Sequence, residues 1–317
     1  MIKKIITKKI IITTIALFAL GLFCLLSGDG RNELKNINQE LEYISKEVET
    51  HDIFLLDSNN YLALTQVIVD NEDKVKLAYE LANILIKDGS GESRIPNGFK
   101  SVISSNTVIN SITLTDDVMK IDLTKDFLET TKEMEDKVIE SIIYTLTSIE
   151  GVNKVIIFSD GQILTKLPLN GKILPTTFDR TYGINKKYNI NSIQDVVGIT
   201  VYYINEHNNN YYYVPVTSYL NDSRDRISII VDELSNNFTY MNDLMSFLNE
   251  NVKLEKYEIK EDKMILEFND AIFNSISEKD ILEEVVYTIT LSIKDNYQVK
   301  QVSFQVENEE ILTKTIE

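Results

Sequence analysis

The chain is poor in the residues that build stapled or metal-centred proteins. It has one cysteine, two histidines and no tryptophan among 317 residues. A single cysteine closes no intramolecular disulfide, and the usual Cys/His zinc site has almost no ligands to draw on. Four prolines and eleven glycines exclude collagen-like and Pro/Gly linker compositions. Positive charge is also short, with 32 Lys+Arg against 49 Asp+Glu and a net charge of -17. General nucleic-acid binding, which rests on cations at phosphates, is therefore not expected. What is abundant is apolar side chains, at 43%, enough for sizeable cores.

The charge is unevenly placed. Lys3, Lys4, Lys8 and Lys9 lie in the first 28 residues with no acid, leaving 28 basic against 49 acidic residues, or -21, beyond them. Residues 1–9 are read as a cytoplasmic basic end. The apolar run Ile10 to Ser27 follows, ~27 Å long as a helix, enough to cross a bilayer core. Residues 10–27 are expected to be a transmembrane anchor, with lysines holding that end in the cytoplasm and the bulk of the chain outside. The alternatives are a cleaved signal, for which Leu26-Ser27-Gly28 is a poor site, and lipidation at Cys24, which lacks the small residues wanted before it. In 33–50, Leu34, Ile37, Leu41, Ile44 and Val48 alternate by three and four. That spacing predicts an amphipathic juxtamembrane helix, serving as a dimer stalk or lying on the first domain.

Beyond it the chain repeats itself. Val138–Thr147 (VIESIIYTLT) resembles Ile281–Thr290 (ILEEVVYTIT), aligning Glu140, Tyr144, Thr145 and Thr147 with Glu283, Tyr287, Thr288 and Thr290. Asp117-Val118-Met119 matches Asp262-Lys263-Met264, and Asn59-Asn60-Tyr61 matches Asn209-Asn210-Tyr211. The spacing is too long for a solenoid unit and points to two copies of one domain, at 51–166 and 197–317, joined by an ordered connector at 167–196. In the first copy, strands are expected at Ile53–Leu56, Tyr61–Val69, Val108–Leu114, Val118–Leu123 and Val152–Phe158. Helices are expected over Lys74–Ile86 and from about Glu133 to Ile149. The second copy predicts strands at Thr200–Ile204, Tyr211–Val216, Val252–Ile259, Met264–Phe268 and Gln298–Val306. Its helices fall near Asp225–Leu234 and Lys279–Ile293. Helices recurring between strands, with a hairpin in the middle, give an α+β fold: two copies of a small helix-on-sheet domain behind the membrane helix.

The pieces VMKIDLTKDF (Val118–Phe127) and IIYTLTSIEGVNKVIIFSDG (Ile142–Gly161) resemble the GerM domain family. So does YYYVPVT (Tyr211–Thr217) in the second copy. The resemblance covers about 50–165 and 197–312, and copy two departs from it late, with Glu307-Asn308-Glu309 in place of an Asp-Gly turn. It implies a ring-building-motif-like fold and a non-enzymatic role in sporulation, germination or other envelope complexes of Gram-positive bacteria. Implied partners are proteins of such complexes and, through the N-terminal helix, the cell membrane; a homo-oligomer is a further option.

His51 beside Asp52 and His207 beside Glu206 are general-base types, but each stands in one copy without a counterpart. Gly89-Ser90-Gly91 lacks the Lys and strand-loop-helix setting of a phosphate cradle. Asp116-Asp117 and Glu261-Asp262 occupy the same hairpin turn in both copies, so turn chemistry explains them. With Glu309-Glu310 they do not form the oxygen array that a hard cation needs. Of Tyr211-Tyr212-Tyr213, only the outer two can share a strand face. Lys186-Lys187 is the one paired basic site beyond the N-terminus. The expectation is a contact protein with no catalytic residues, cofactor or metal. The competing readings are a module binding peptidoglycan or a small molecule, and, further off, a hydrolase using a carboxylate pair.

Overall fold

The computed structural model describes residues 49–236, 243–275 and 277–316. The expected anchor at 10–27 and most of the juxtamembrane segment lie outside these residues. Thr50, the last residue assigned to that helix, is instead the first residue of a strand, held in a ladder opposite Ile68. Among the described residues no helix is long and apolar enough to cross a membrane.

Two segments share one element order. The first runs β1 (Thr50–Leu56), β2 (Leu62–Ile68), α1 (Lys74–Ile84), β3 (Ile109–Thr115), β4 (Val118–Leu123), α2 (Glu135–Leu146), β5 (Lys154–Ser159) and β6 (Gln162–Ile163). A three-residue strand, β7 (Lys187–Asn189), lies in the connector. The second segment runs β8 (Val197–His207), β9 (Asn210–Leu220), α3 (Arg226–Ser235), β10 (Leu254–Lys260), β11 (Lys263–Phe268), α4 (Glu283–Asn296), β12 (Gln301–Val306) and β13 (Glu309–Thr315). Strand β13 was not anticipated. Glu307 and Asn308 both take positive φ, 52° and 63°, and so make the tight turn for which Asp160 and Gly161 serve in the first copy.

Each repeat owns a four-stranded sheet, β3-β4-β5-β6 or β10-β11-β12-β13. In both, the central pair is parallel and is crossed by a helix, α2 or α4. Alternation buries one face: Met119, Ile121 and Leu123 in β4, and Met264, Leu266 and Phe268 in β11, are fully buried. Both edge hairpins carry a bulge, at Ile109/Ser111 and at Leu254/Lys256. The leading hairpins do something different. β1-β2 and β8-β9 join, with β7, into a single five-stranded sheet that runs across both repeats. Repeats and connector belong to one compact unit, Val48–Glu317.

Two sequence expectations need correction. The last helix begins at Glu283 rather than Lys279, because Lys279 is left-handed (φ 51°) and Asp280 bridges to Ser275. The helix alignment of the repeats is also off by one turn. Thr145 Oγ1 accepts a hydrogen bond from the Phe54 N–H in the first repeat. In the second, the corresponding bond to Tyr202 N–H is accepted by Ser292 Oγ, not by Thr288. The partner of Thr145 is thus Ser292, and Val138, Ile139 and Ile142 correspond to Val285, Val286 and Ile289, all buried. Glu140 is likewise buried while Glu283 is exposed. A four-residue slip leaves an amphipathic pattern in place, so the letters favoured the wrong turn.

Candidate functional site at the junction between the repeats

The connector is built into the first core through Leu167, Leu174, Phe178 and Ile184, with 5% exposure at most. The first repeat and its connector reach into the second repeat at three points.

Arg180 sits in a single 3₁₀ turn, Arg180–Tyr182. Its guanidinium donates to Thr147 Oγ1 (3.1 Å), Ser148 Oγ (2.9 Å) and Tyr144 O (3.3 Å) at the end of α2. It stacks over the Tyr144 ring at 4.9 Å. Its remaining arm pairs with Asp295 of α4, whose side chain is fully buried. The other Asp295 oxygen accepts from the Tyr202 hydroxyl of β8 at 2.9 Å. Burial opposes the charge on Arg180, but Asp295, then Tyr202 and Tyr144, outweigh it and hold the guanidinium more firmly protonated than usual. Burial next to Asp295 pushes the Tyr202 hydroxyl far above its ordinary range.

Asn185 repairs a gap in the shared sheet. β2 and β9 are bridged only at Leu64↔Tyr213, which sets Leu62 opposite Pro215. Proline has no N–H to offer there. The Asn185 carboxamide takes its place: Oδ1 accepts from Leu62 N–H (2.9 Å), and Nδ2 donates to Leu62 O and Pro215 O, each at 2.8 Å. The residue is held in a left-handed conformation (φ 47°), its N–H donating to Glu140 at 2.8 Å. Lys137 Nζ donates to Oδ1 at 3.0 Å, completing the acceptor.

Asp57, in the β1-β2 turn, is the third point. One oxygen accepts from the N–H groups of Asn59 and Tyr61 at 2.8 Å, shaping its own turn. The other accepts from Tyr212 Oη (3.0 Å) and Asn205 Nδ2 (3.2 Å) of the second repeat. With Asp57 that near, burial raises the Tyr212 hydroxyl above its usual range.

The connector is clamped to α2 by a charge cluster. Lys186 lies between Glu140 (3.0 Å) and Asp136 (3.7 Å), its ammonium 3.5 Å from the Tyr182 ring centre and its side chain 6% exposed. Burial depresses its pKa despite the two acids. Of the paired basic site Lys186-Lys187, Lys186 is therefore taken up inside the fold. Burial would raise the Asp136 carboxyl, but Lys186, the Tyr182 hydroxyl and Lys172 overcome it and hold the pKa below the ordinary value.

The residues weighed for chemistry are scattered. His51 is bonded through Nε2 to Val69 O (3.1 Å), while the His207 ring covers Gly98, where a Cβ would meet it at 2.5 Å. Asp116 and Glu261 both adopt φ 55°, and the carbonyls of Asp117 and Asp262 accept the same pair of N–H groups in each repeat. Glu310 is bonded to Lys263 and Ser303. Gly89 and Gly91 pack against Ile86 and Ile84 in a plain loop. Among the described residues no group of three or more His, Cys, Asp or Glu is placed to hold a metal ion. Tyr211 meets Phe247 and Tyr213 stacks on Tyr287, while Tyr212 turns to the opposite face and Asp57. Sequence reading missed Asp57, Arg180, Asn185 and Asp295. Only Pro215, a proline inside a strand pattern, signals that something must replace an N–H.

Fold and junction together define a tandem α+β module whose two repeats share a sheet and a polar lock. A family profile described as Germane, "Sporulation and spore germination", matches residues 52–165 and 200–312, and the chain belongs to this family. It is 32% identical over 261 residues to the spore germination protein GerM of Bacillus subtilis (strain 168), covering 80% of this chain and 70% of that protein. It is also similar to the solved tandem GerMN domains of the sporulation protein GerM from Bacillus subtilis. That likeness has a TM-score of 0.75 at 28% identity and covers 82% of this chain and 92% of that one.

Proposed function

We propose that this protein is a membrane-anchored, extracytoplasmic scaffold of a sporulation or germination complex. Ile10–Ser27 is its anchor, and the fused repeats present surfaces to other proteins of the complex. The observation that carries this reading is the junction. Asp57, Arg180, Asn185 and Asp295 spend their hydrogen-bonding capacity on side chains and backbone of the two repeats, fixing the angle between two domains. Groups so saturated hold shape and offer nothing to a substrate, which fits a protein that works by contact and not as an enzyme. Similarity to proteins named for sporulation and germination supports the process.

The test is made in the source organism. Deletion of the gene is expected to lower the yield of spores or their germination, and the full chain is expected to restore it. A chain lacking residues 1–27 is expected to leave the membrane fraction and fail. Normal sporulation and germination in the deletion strain, or full activity without the anchor, overturns the reading.

A further inference from the structure

The two repeats expose equivalent sheet edges that differ in chemistry. β10 ends its sheet with Glu255, Lys256, Glu258 and Lys260, the charged side chains that keep foreign strands away. β3 is the equivalent edge of the first repeat, its pairing with β4 matching that of β10 with β11, bulge included. Its sequence, Ile109–Thr115 (INSITLT), has no charge and no proline. Alternate N–H and C=O groups of an edge strand point away from its one neighbour, and among the described residues no strand pairs with this edge.

Beside β3 lies an open groove against α1, lined by Asn71, Val75, Lys76, Tyr79, Glu80 and Ile112. Tyr79 is 48% exposed. Glu80 is neutralised by Arg94 at 2.6 Å, and Lys76 has no ion pair among the described residues, so the lining carries one free positive charge. In the second repeat Tyr257 stands where Ile112 stands in the first, with burial, and Asp225 near it at the start of α3, raising its hydroxyl pKa, while the Tyr297 hydroxyl accepts from Ile227 N–H. Two rings thus occupy the space beside α3.

From this we infer that β3 is a docking edge for an extended segment of a partner protein, which adds a strand to the first repeat. Main-chain hydrogen bonds supply the affinity. An apolar or aromatic side chain enters the groove over Val75 and Tyr79, and a carboxylate meets Lys76. A second copy of this chain fits less well, because two bodies of net charge -17 repel. The inference rests on the scaffold reading and names the kind of partner it takes.

The test uses the full chain in detergent and a synthetic peptide of alternating valine and threonine with one tyrosine and one glutamate. Hydrogen exchange is followed by mass spectrometry. The peptide is expected to slow exchange over 108–115. Substituting Ser111→Lys and Thr113→Glu copies the charge pattern of β10 onto exposed positions and is expected to weaken binding ~10-fold, about 1.4 kcal/mol. Lys76→Glu is expected to shift preference to a peptide with lysine in place of glutamate. The inference is overturned by no protection at about millimolar peptide, by protection at another sheet edge, by unchanged binding to the doubly substituted chain, or by protection of β3 through self-association without peptide. Failure here with normal complementation in cells removes the edge and leaves the scaffold; failed complementation removes the scaffold.

Discussion

The two repeats carry the same elements in the same order, yet they are held differently. In the first, α2 is buried on nearly every side, because its own sheet, β1 and the connector all lie against it. In the second, α4 has its own sheet and β8, and Glu284, Tyr287, Leu291 and Lys294 stay partly exposed. The contrast teaches that the connector's apolar side chains complete the core of the first repeat. The second is tied to it by the short β7–β9 ladder and a few polar groups, so damage at the junction is expected to be felt first in β8 and α4.

The largest effect is expected from Asp295→Ala, which removes the fully buried partner of the largely buried Arg180 side chain. Breaking one side of a buried pair costs roughly 3–5 kcal/mol. Denaturant unfolding is expected to show that loss, with faster hydrogen exchange in α4 and β8 than in α2; equal loosening of both repeats would break the comparison. Asn185→Ala comes next. It leaves Leu62 N–H and two carbonyls without their partner inside the shared sheet, at about 1–3 kcal/mol for a buried group left unpaired. The readout is exchange at Leu62 together with protease cutting in the connector.

A smaller pair of variants sharpens the helix correspondence. Thr145→Val and Ser292→Ala each free one strand N–H, of Phe54 or Tyr202, and each is expected to cost about 1–2 kcal/mol. Thr288→Val is expected to leave the Tyr202 amide as protected as before, because Thr288 Oγ1 donates to Val285 O within its own helix. The smallest effect concerns acid. Asp136 is held below its unfolded pKa of 3.8. Its contribution is therefore complete above that value and is lost as pH falls through the lower folded one. Asp136→Asn is expected to flatten the stability profile below about pH 4 and to leave its shape near pH 7 unchanged.

Much of the fold was legible in the letters. Alternation marked β4 and β11, acidic and Asn-rich pairs marked the turns, and the repeated Asp-x-Met marked equivalent hairpins. Two things were not legible, for physical reasons. A helix reads almost the same after a shift of one turn, so matching Tyr144 to Tyr287 looked better than the true pairing. The lock was hidden because its members come from distant segments as single ordinary residues. Asn185 becomes informative only once Pro215 is seen opposite Leu62, and nothing in the letters of Lys186-Lys187 shows that Glu140 and Asp136 enclose the first of the pair.

The replacement of a backbone amide by the Asn185 side chain also bears on how such a molecule changes over generations. A long ladder between β2 and β9 would tie the angle between the repeats to the geometry of both cores. Here the two strands meet at one bridge, and a borrowed carboxamide does the rest. Substitutions at Asn185 are therefore expected to act on that angle before they act on the packing of either core.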